Sequence, residues 1–422
     1  MSYAIQNRDG AELNRLYRED HAIHDWYRFV LSFPPHLVRD YIQKFKVNKK
    51  QCVLDPFCGT GTTLVECKKL GITSVGIEAN PIVQFAANTK LNWNIDPSSL
   101  IDDAELIAKK ANAKLKRHKG DLKNLTADQE KLIITNSISP LPLHKSLVLL
   151  EVMSKIDNQC FSDILRLAFA KQLVYAYSNL RFGPEVGVSR KKKDDACVVE
   201  LWLEQVKKMA NDIEFFSKLK NVKSKVHLGD SREIGSILEP ESINAIITSP
   251  PYPNEKDYTR TTRLESVLLG YLSNKKDLRN SKDYLLRSNT RNVFKSDNDE
   301  EVVINNKNIM DLAERIENKR IELGKTSGFE RLYHRVVKNY FGGMARHLEE
   351  LKPALCPGAK LAYVVGDQAS YFRIPIRTGQ LLAELATSIG YDVIDIDLFR
   401  TRLSTATKEQ LREEVVLLRW KG

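Results

Sequence analysis

The sequence contains no CxxC pair and no His/Cys cluster at zinc-ligand spacing. Its six cysteines are scattered at positions 52, 58, 67, 160, 197 and 356. They read as reduced, mostly buried thiols of a cytosolic protein, so neither a disulfide framework nor a structural zinc site is expected. No apolar run approaches the roughly 20 residues needed to span a bilayer, so a membrane protein is excluded. The opening MSYAIQNRDG lacks a basic stretch followed by an apolar one, so secretion is not expected and the cytoplasm is. Internal repeats are also missing.

What is present is a globular composition. Of 422 residues, 42% are hydrophobic and 28% charged. That is enough core-forming material for two or three domains, or for one elaborated domain. Lysine plus arginine exceed aspartate plus glutamate by 11. A surplus of this size points softly to a polyanionic partner, against the plainer possibility of a merely basic enzyme.

Short apolar runs at 52–54, 75–77, 225–228, 243–248, 360–365, 393–398 and 414–419 read as strands. Segments with helical spacing lie at 36–45, 62–70, 82–92, 329–351 and 378–389. The alternation predicts an α/β fold: a doubly wound, seven-stranded sheet carrying two insertions. Residues 96–224 read as a mostly helical insertion. Residues 255–330 read as a polar one, rich in Asn, Asp, Lys and Arg, with mobile parts. The core is thereby divided into 21–95, 225–254 and 331–422. Within the first insertion, 178–193 reads as a loop because of Gly183, Pro184 and Gly187.

Two motifs carry chemistry. The first is Asp55-Pro56-Phe57-Cys58-Gly59-Thr60-Gly61-Thr62-Thr63, between a strand and a helix. In open α/β sheets ligands bind beyond the carboxyl ends of the strands. Gly59 and Gly61 let a ligand approach the backbone, and Thr62 or Thr63 can cap the helix. Glu78 ends the next strand, where a carboxylate can accept the hydroxyls of a ribose. The third glycine of the dinucleotide fingerprint is missing and no pyrophosphate cradle is evident. Asp55 also suits a ligand bearing an amine better than a phosphate. The cofactor indicated is S-adenosylmethionine.

The second motif is Thr248-Ser249-Pro250-Pro251-Tyr252, directly after a buried strand. The prolines fix the backbone, so the Ser249 hydroxyl and the Pro250 carbonyl point in set directions. Tyr252 offers a flat face on which a base can stack. The exocyclic amine of cytosine or adenine is a poor nucleophile, because its lone pair is delocalised into the ring. Two acceptors placed on its hydrogens favour a pyramidal nitrogen that can attack a sulfonium methyl in line. Rate would then come from positioning and preorganised dipoles. The base must leave its duplex stack to reach such a pocket.

DPFCGTGTT followed by TSPPY resembles the amino-methylating DNA methyltransferases of prokaryotic modification systems. The serine in TSPPY resembles the cytosine-N4 branch; adenine-N6 members more often carry Asp or Asn there. The resemblance covers roughly residues 21–95 and 225–422. It implies a methyltransferase (Rossmann-like) sheet with an antiparallel last strand, double-stranded DNA as partner, no metal, and a nucleoid-associated protein. A separately acting restriction endonuclease is a possible companion. It further implies that Phe33 and Pro34 pack against the methionine end of the cofactor, and that Asp230 meets its adenine amino group. The implied cofactor set is Phe33, Pro34, Asp55, Phe57, Gly59, Gly61, Thr62, Glu78, Asp230 and Ser249. The implied catalytic set is Ser249, Pro250, Pro251 and Tyr252. The order departs from most serine-type members, in which the catalytic motif precedes the glycine turn.

DNA contacts are expected from Arg181, Arg190, Lys191, Lys192 and Lys193, and from Tyr258, Arg260 and Arg263 just after the catalytic motif. Three other functions fit parts of this pattern: adenine-N6 methylation of DNA, base methylation of RNA, and a non-catalytic DNA-binding relative.

Overall fold

A computed structural model describes residues 12–28, 32–155, 159–182, 185–254, 256–404 and 407–422. Nine strands occur among them: β1 (Cys52–Asp55), β2 (Thr73–Glu78), β3 (Leu180–Phe182), β4 (Val186–Val188), β5 (Ser224–Leu228), β6 (Ile243–Thr248), β7 (Leu355–Gly366), β8 (Asp392–Leu403) and β9 (Gln410–Arg419). Seven form one sheet in the order β5-β2-β1-β6-β7-β9-β8. The pairs from β5 to β7 are parallel, and β9 runs antiparallel to both β7 and β8. This is the predicted doubly wound sheet with its reversed last strand. The chain order turns back between β1 and β6, which opens a crevice beyond their carboxyl ends.

Period-two alternation places the core on both faces of the sheet. Leu54, Ile246, Leu361, Tyr363, Val365, Val416 and Leu418 pack with the helices Lys307–Glu322, Tyr333–Leu351 and Thr378–Ile389 on one face. Val53, Ala245, Ile247, Ala362, Val364, Val415 and Leu417 face the helix Pro35–Phe45 on the other. That helix starts with proline at its first position, after Pro34, and ends on Lys46 in the left-handed region (φ 57°). Leu37, Val38, Tyr41, Ile42 and Phe45 form its buried stripe.

The first insertion is helical, as predicted, with helices Pro97–Arg117, Pro140–Met153, Gln159–Gln172 and Val198–Phe215. Its apolar cluster runs without a break into Ile82, Val83, Phe85 and Leu91 of the core helix Pro81–Leu91. It also reaches Leu264, Val267 and Leu268 of the second insertion. The stretch predicted as a loop contains the β3–β4 hairpin. Strands of three residues are too short to show alternation, so only the turn was visible in sequence. Gly183 and Pro184 lie outside the described residues.

The second insertion corrects its prediction. It is not a loose polar excursion but a packed layer. Leu286, Val293, Val303, Ile309, Leu312 and Ile316 join the core of the sheet. Its polar groups are buried because they satisfy one another. Lys282 pairs with Asp257 at 3.0 Å, and Arg287 pairs with Asp297 at 2.9 Å. Asn292 donates to the Leu286 carbonyl at 3.0 Å. Composition alone reads such a segment as solvent-loving.

Candidate active site

The carboxyl ends of β1, β2, β6 and β7 open into one cavity of about 650 Å³. The glycine turn forms its floor on one side. Gly61 sits at φ +83°, and a Cβ there would come within 3.2 Å of Ala87 Cβ, so a larger residue would be strained twice over. The turn is tied to β2 from two directions. The Cys58 amide donates to the Ile77 carbonyl at 3.1 Å, and the Gly59 amide donates to Glu78 Oε2 at 3.0 Å. Glu78 Oε1 accepts from the Asn80 amide at 2.8 Å. Behind the turn, the buried Lys90 donates to the Thr60 carbonyl at 3.1 Å. No pattern in the sequence signalled that lysine.

The two motifs are joined covalently to neighbouring strands and by one short contact. Thr248 Oγ1 donates to Asp55 Oδ1 at 2.6 Å, and Asp55 Oδ1 also accepts from the Phe57 amide at 3.2 Å. Asp55 Oδ2 is buried without a hydrogen-bond partner. Burial pushes the Asp55 carboxyl up to about 6 and the Glu78 carboxyl up to about 7. In both, loss of solvation outweighs the hydrogen bonds that favour the charged form.

Ser249 Oγ donates to the Val364 carbonyl on β7 at 3.1 Å. Its proton is thereby directed into the sheet, and beside the contact with Tyr252 a lone pair remains to accept. The Tyr252 hydroxyl is in hydrogen-bonding contact with Ser249, and burial raises its pKa. The Tyr252 ring lies against Gly366, where an added Cβ would meet Tyr252 Cε2 at 3.0 Å. Gly366 therefore makes room for the ring.

Most of the predicted site residues meet in this cavity. Phe33, Phe57, Gly59, Thr62, Glu78, Ser249, Pro250, Pro251, Tyr252 and Tyr258 all line it. Pro34 caps the helix behind Phe33, while Asp55 and Gly61 support the turn from within. Asp230 stands apart from this set. Gly229 and Ser231 line the cavity, while Asp230 between them is not among its lining residues and pairs with Arg232 at 2.6 Å. Arg232 in turn pairs with Asp299 at 2.5 Å. Sequence reasoning had no view of Arg232 as a competitor two residues on.

The expected DNA contacts scatter. Arg181 is exposed on β3, and Arg190 and Lys191 are exposed beyond β4. Lys192 instead donates to the Ser189 carbonyl, and Lys193 to the Ala176 carbonyl at 2.7 Å. Arg263 is spent on the fold, donating to the Thr259 carbonyl at 3.1 Å and the Leu132 carbonyl at 3.3 Å. Arg260 lies 3.9 Å from Glu185, and Glu185 reaches the cavity wall from the β3–β4 hairpin.

Two further walls went unseen in the sequence. Residues 284–292 bring Ser288, Asn289 and Asn292 to the cavity. The β8–β9 pair brings Phe399, Arg400, Arg402 and Glu413. Arg400 pairs with Glu413 at 2.5 Å. The alternation Arg400, Arg402 on one strand face was a usable signal, but nothing local linked it to motifs more than a hundred residues away.

Known proteins with the same sequence features bear on this geometry. The family described as DNA methylase, N6_N4_Mtase, matches residues 6–88. The type II methyltransferase M.BsoBI of Geobacillus stearothermophilus is 26% identical over 95% of this chain and 85% of its own. M.AvaI of Nostoc is 24% identical over 91% of this chain and 82% of its own. M.MjaII of Methanocaldococcus jannaschii is 39% identical, over 16% of this chain and 13% of its own. These matches support an amino-methylating DNA methyltransferase family for this chain.

The methyl donor of this methyltransferase is S-adenosylmethionine, and the cavity fits it. A sulfonium and an ammonium suit a pocket whose buried carboxylates, Glu78 at the wall and Asp55 beneath it, have few cationic neighbours. Apolar faces of Phe57, Ile77 and Val83 suit an adenine ring. Among the described residues no group of acidic, His and Cys side chains could hold a metal ion, and no helix is long and apolar enough to cross a membrane.

Proposed function

We propose that this methyltransferase is site-specific and acts on the exocyclic N4 of cytosine, flipped out of duplex DNA. The observation that carries the reading is the orientation of Ser249. A hydroxyl that gives its proton to Val364 can only accept from a ligand. An amino hydrogen is the natural donor to it, and the Pro250 carbonyl is the second acceptor. Together they would hold the base nitrogen pyramidal while Tyr252 stacks on the ring. S-adenosylmethionine supplies the activated methyl group when bound. Glu78 would take the ribose hydroxyls with the lone pairs that Gly59 and Asn80 leave free, and Phe33 would cover the methionine end. DNA as the substrate accords with the type II methyltransferases to which the chain is similar along most of its length.

The test is chemical. Duplex DNA incubated with the protein and labelled donor, then digested to nucleosides, is expected to yield N4-methylcytosine. N6-methyladenine would move the target to adenine, and unlabelled DNA with labelled RNA would overturn the substrate class.

Cofactor binding should also depend on pH. Glu78 is raised to about 7, so the unliganded protein holds a proton there below neutrality that a ribose and a cationic ligand would displace. Affinity for S-adenosylmethionine is expected to rise as pH increases from about 5.5 to about 7.5, with proton release on binding. Calorimetry in buffers of different ionisation heat reads both. The sign for stability is opposite. A raised carboxyl favours the unliganded fold fully below its unfolded value of 4.5, and that contribution is lost as pH climbs through 7. A cofactor affinity that is flat over this range removes Glu78 from the site.

A further inference from the structure

Three cations line the cavity that holds Ser249 and Tyr252: Lys256, Arg400 and Arg402. They are not equivalent. Arg400 is committed to Glu413. Arg402 approaches Glu413 only at 3.5 Å, with 36% of its side chain exposed, and donates to the Asp367 carbonyl at 2.9 Å. Lys256 has its backbone fixed on both sides. Its backbone amide donates to Asn254 Oδ1 at 2.9 Å, and its carbonyl accepts from Asn289 Nδ2 at 3.1 Å. Its ammonium pairs with no carboxylate among the described residues.

Lys256 and Arg402 come from different walls, one from the loop after β6 and the other from the outermost strand. Both reach the same cavity as Glu413. Burial, and then the Arg402 charge, lower the lysine's pKa. Glu413 and Glu185 oppose the shift without reversing it. The Glu413 carboxylate is shared between Arg400 and Arg402, which leaves positive charge uncompensated at Lys256, where a further anion would be stabilised. The hydrogen-bonded backbone under Lys256 and the carbonyl anchor on Arg402 limit how far either side chain can swing.

We propose that Lys256 and Arg402 form a clamp for a single phosphodiester, the one adjoining the nucleotide whose base enters the cavity. A phosphate oxygen accepts from an ammonium and a guanidinium at once, and its charge compensates theirs. The clamp would fix the extruded nucleotide by its backbone while Ser249 and Tyr252 hold its base. Neither residue belongs to the basic stretch around Lys191, so phosphate contact at the cavity is separate from contact at the surface. The inference rests on the reading of DNA as substrate.

The experiment uses the full chain and a duplex carrying its mapped methylation site. Single uncharged methylphosphonates replace the phosphates beside the target base one at a time. In the wild type, one position is expected to weaken DNA binding on the order of tenfold. Lys256→Gln and Arg402→Gln should each bind the native duplex several-fold more weakly, yet lose little more when that one phosphate is neutralised. Their affinity for S-adenosylmethionine should match the wild type, which reports an intact fold. If the wild type methylates the duplex but the losses from variant and methylphosphonate multiply independently at every position, the clamp is wrong and the substrate reading stands. If no DNA is methylated by the wild type, the substrate reading fails and the clamp falls with it.

Discussion

Ser249→Ala is expected to lower methyl-transfer turnover about 100-fold or more while cofactor affinity stays nearly constant. A loss of that size corresponds to about 2.7 kcal/mol of transition-state stabilisation, in the range of a single lost polar contact at a reacting centre. The geometry explains why binding should be spared. Ser249 Oγ bonds to the Val364 carbonyl, across the cavity from the Glu78 and Gly59 cluster, so its removal leaves the glycine turn untouched. Ser249→Thr would keep the hydroxyl and should recover part of the rate. Single-turnover kinetics, with cofactor affinity measured separately, divide the two effects. Unchanged turnover in the alanine variant would remove Ser249 from the chemistry.

The second large effect is on stability. Gly342 lies in the helix Tyr333–Leu351, where helix propensity alone favours alanine by about 1 kcal/mol. Packing reverses that sign. A Cβ on Gly342 would run into the main-chain carbonyl of Asp299, which begins the short helical turn Asp299–Val303. Backbone against backbone has nowhere to yield, and Gly342→Ala is expected to cost about 3 kcal/mol. The neighbouring Gly343→Ala meets the Leu286 side chain at 2.5 Å, a flexible end that can rotate, and should cost clearly less. Denaturant midpoints for the two variants make the comparison. Equal stabilities would mean that residues 299–303 can move off the helix, contrary to the tight packing described. The Gly342 variant should also bind cofactor more weakly. Asp299 holds Arg232, Arg232 holds Asp230, and the residues on either side of Asp230 line the cavity.

Both effects separate what a one-dimensional reading reaches from what it misses. The five parallel strands were legible because buried parallel strands are unbroken apolar runs flanked by turn residues, as in Val53-Leu54 before Asp55 and Ile243 to Thr248 before Ser249; the antiparallel β8 and β9 showed only as the apolar runs at 393–398 and 414–419. The glycine turn and the TSPPY segment were legible because their chemistry is local. Asp230 was not, because its partner is decided by an arginine whose direction only tertiary structure sets. Residues 284–292 were hidden for the same reason: Asn289 and Asn292 look solvent-loving until their hydrogen bonds to each other are seen, and Ser288 until its carbonyl is seen accepting from the Asn254 amide. Arg400, Arg402 and Glu413 reach the cavity only because the last two strands reverse beside β7, a long-range fact with no short-range mark. Lys192 and Lys193 show the converse. A run of positive charge looked like a surface for phosphates, yet two of its members are used up on backbone carbonyls.

The unbroken apolar cluster shared by residues 96–224, the helix Pro81–Leu91 and Arg263–Leu268 limits how such a protein can diversify. A chimera that exchanged the whole helical block with that of a cousin would break one oily interior in half and expose both torn sides. Inherited change in this block would have to accumulate through single substitutions on the outward faces of its helices, with the shared interior left as it is.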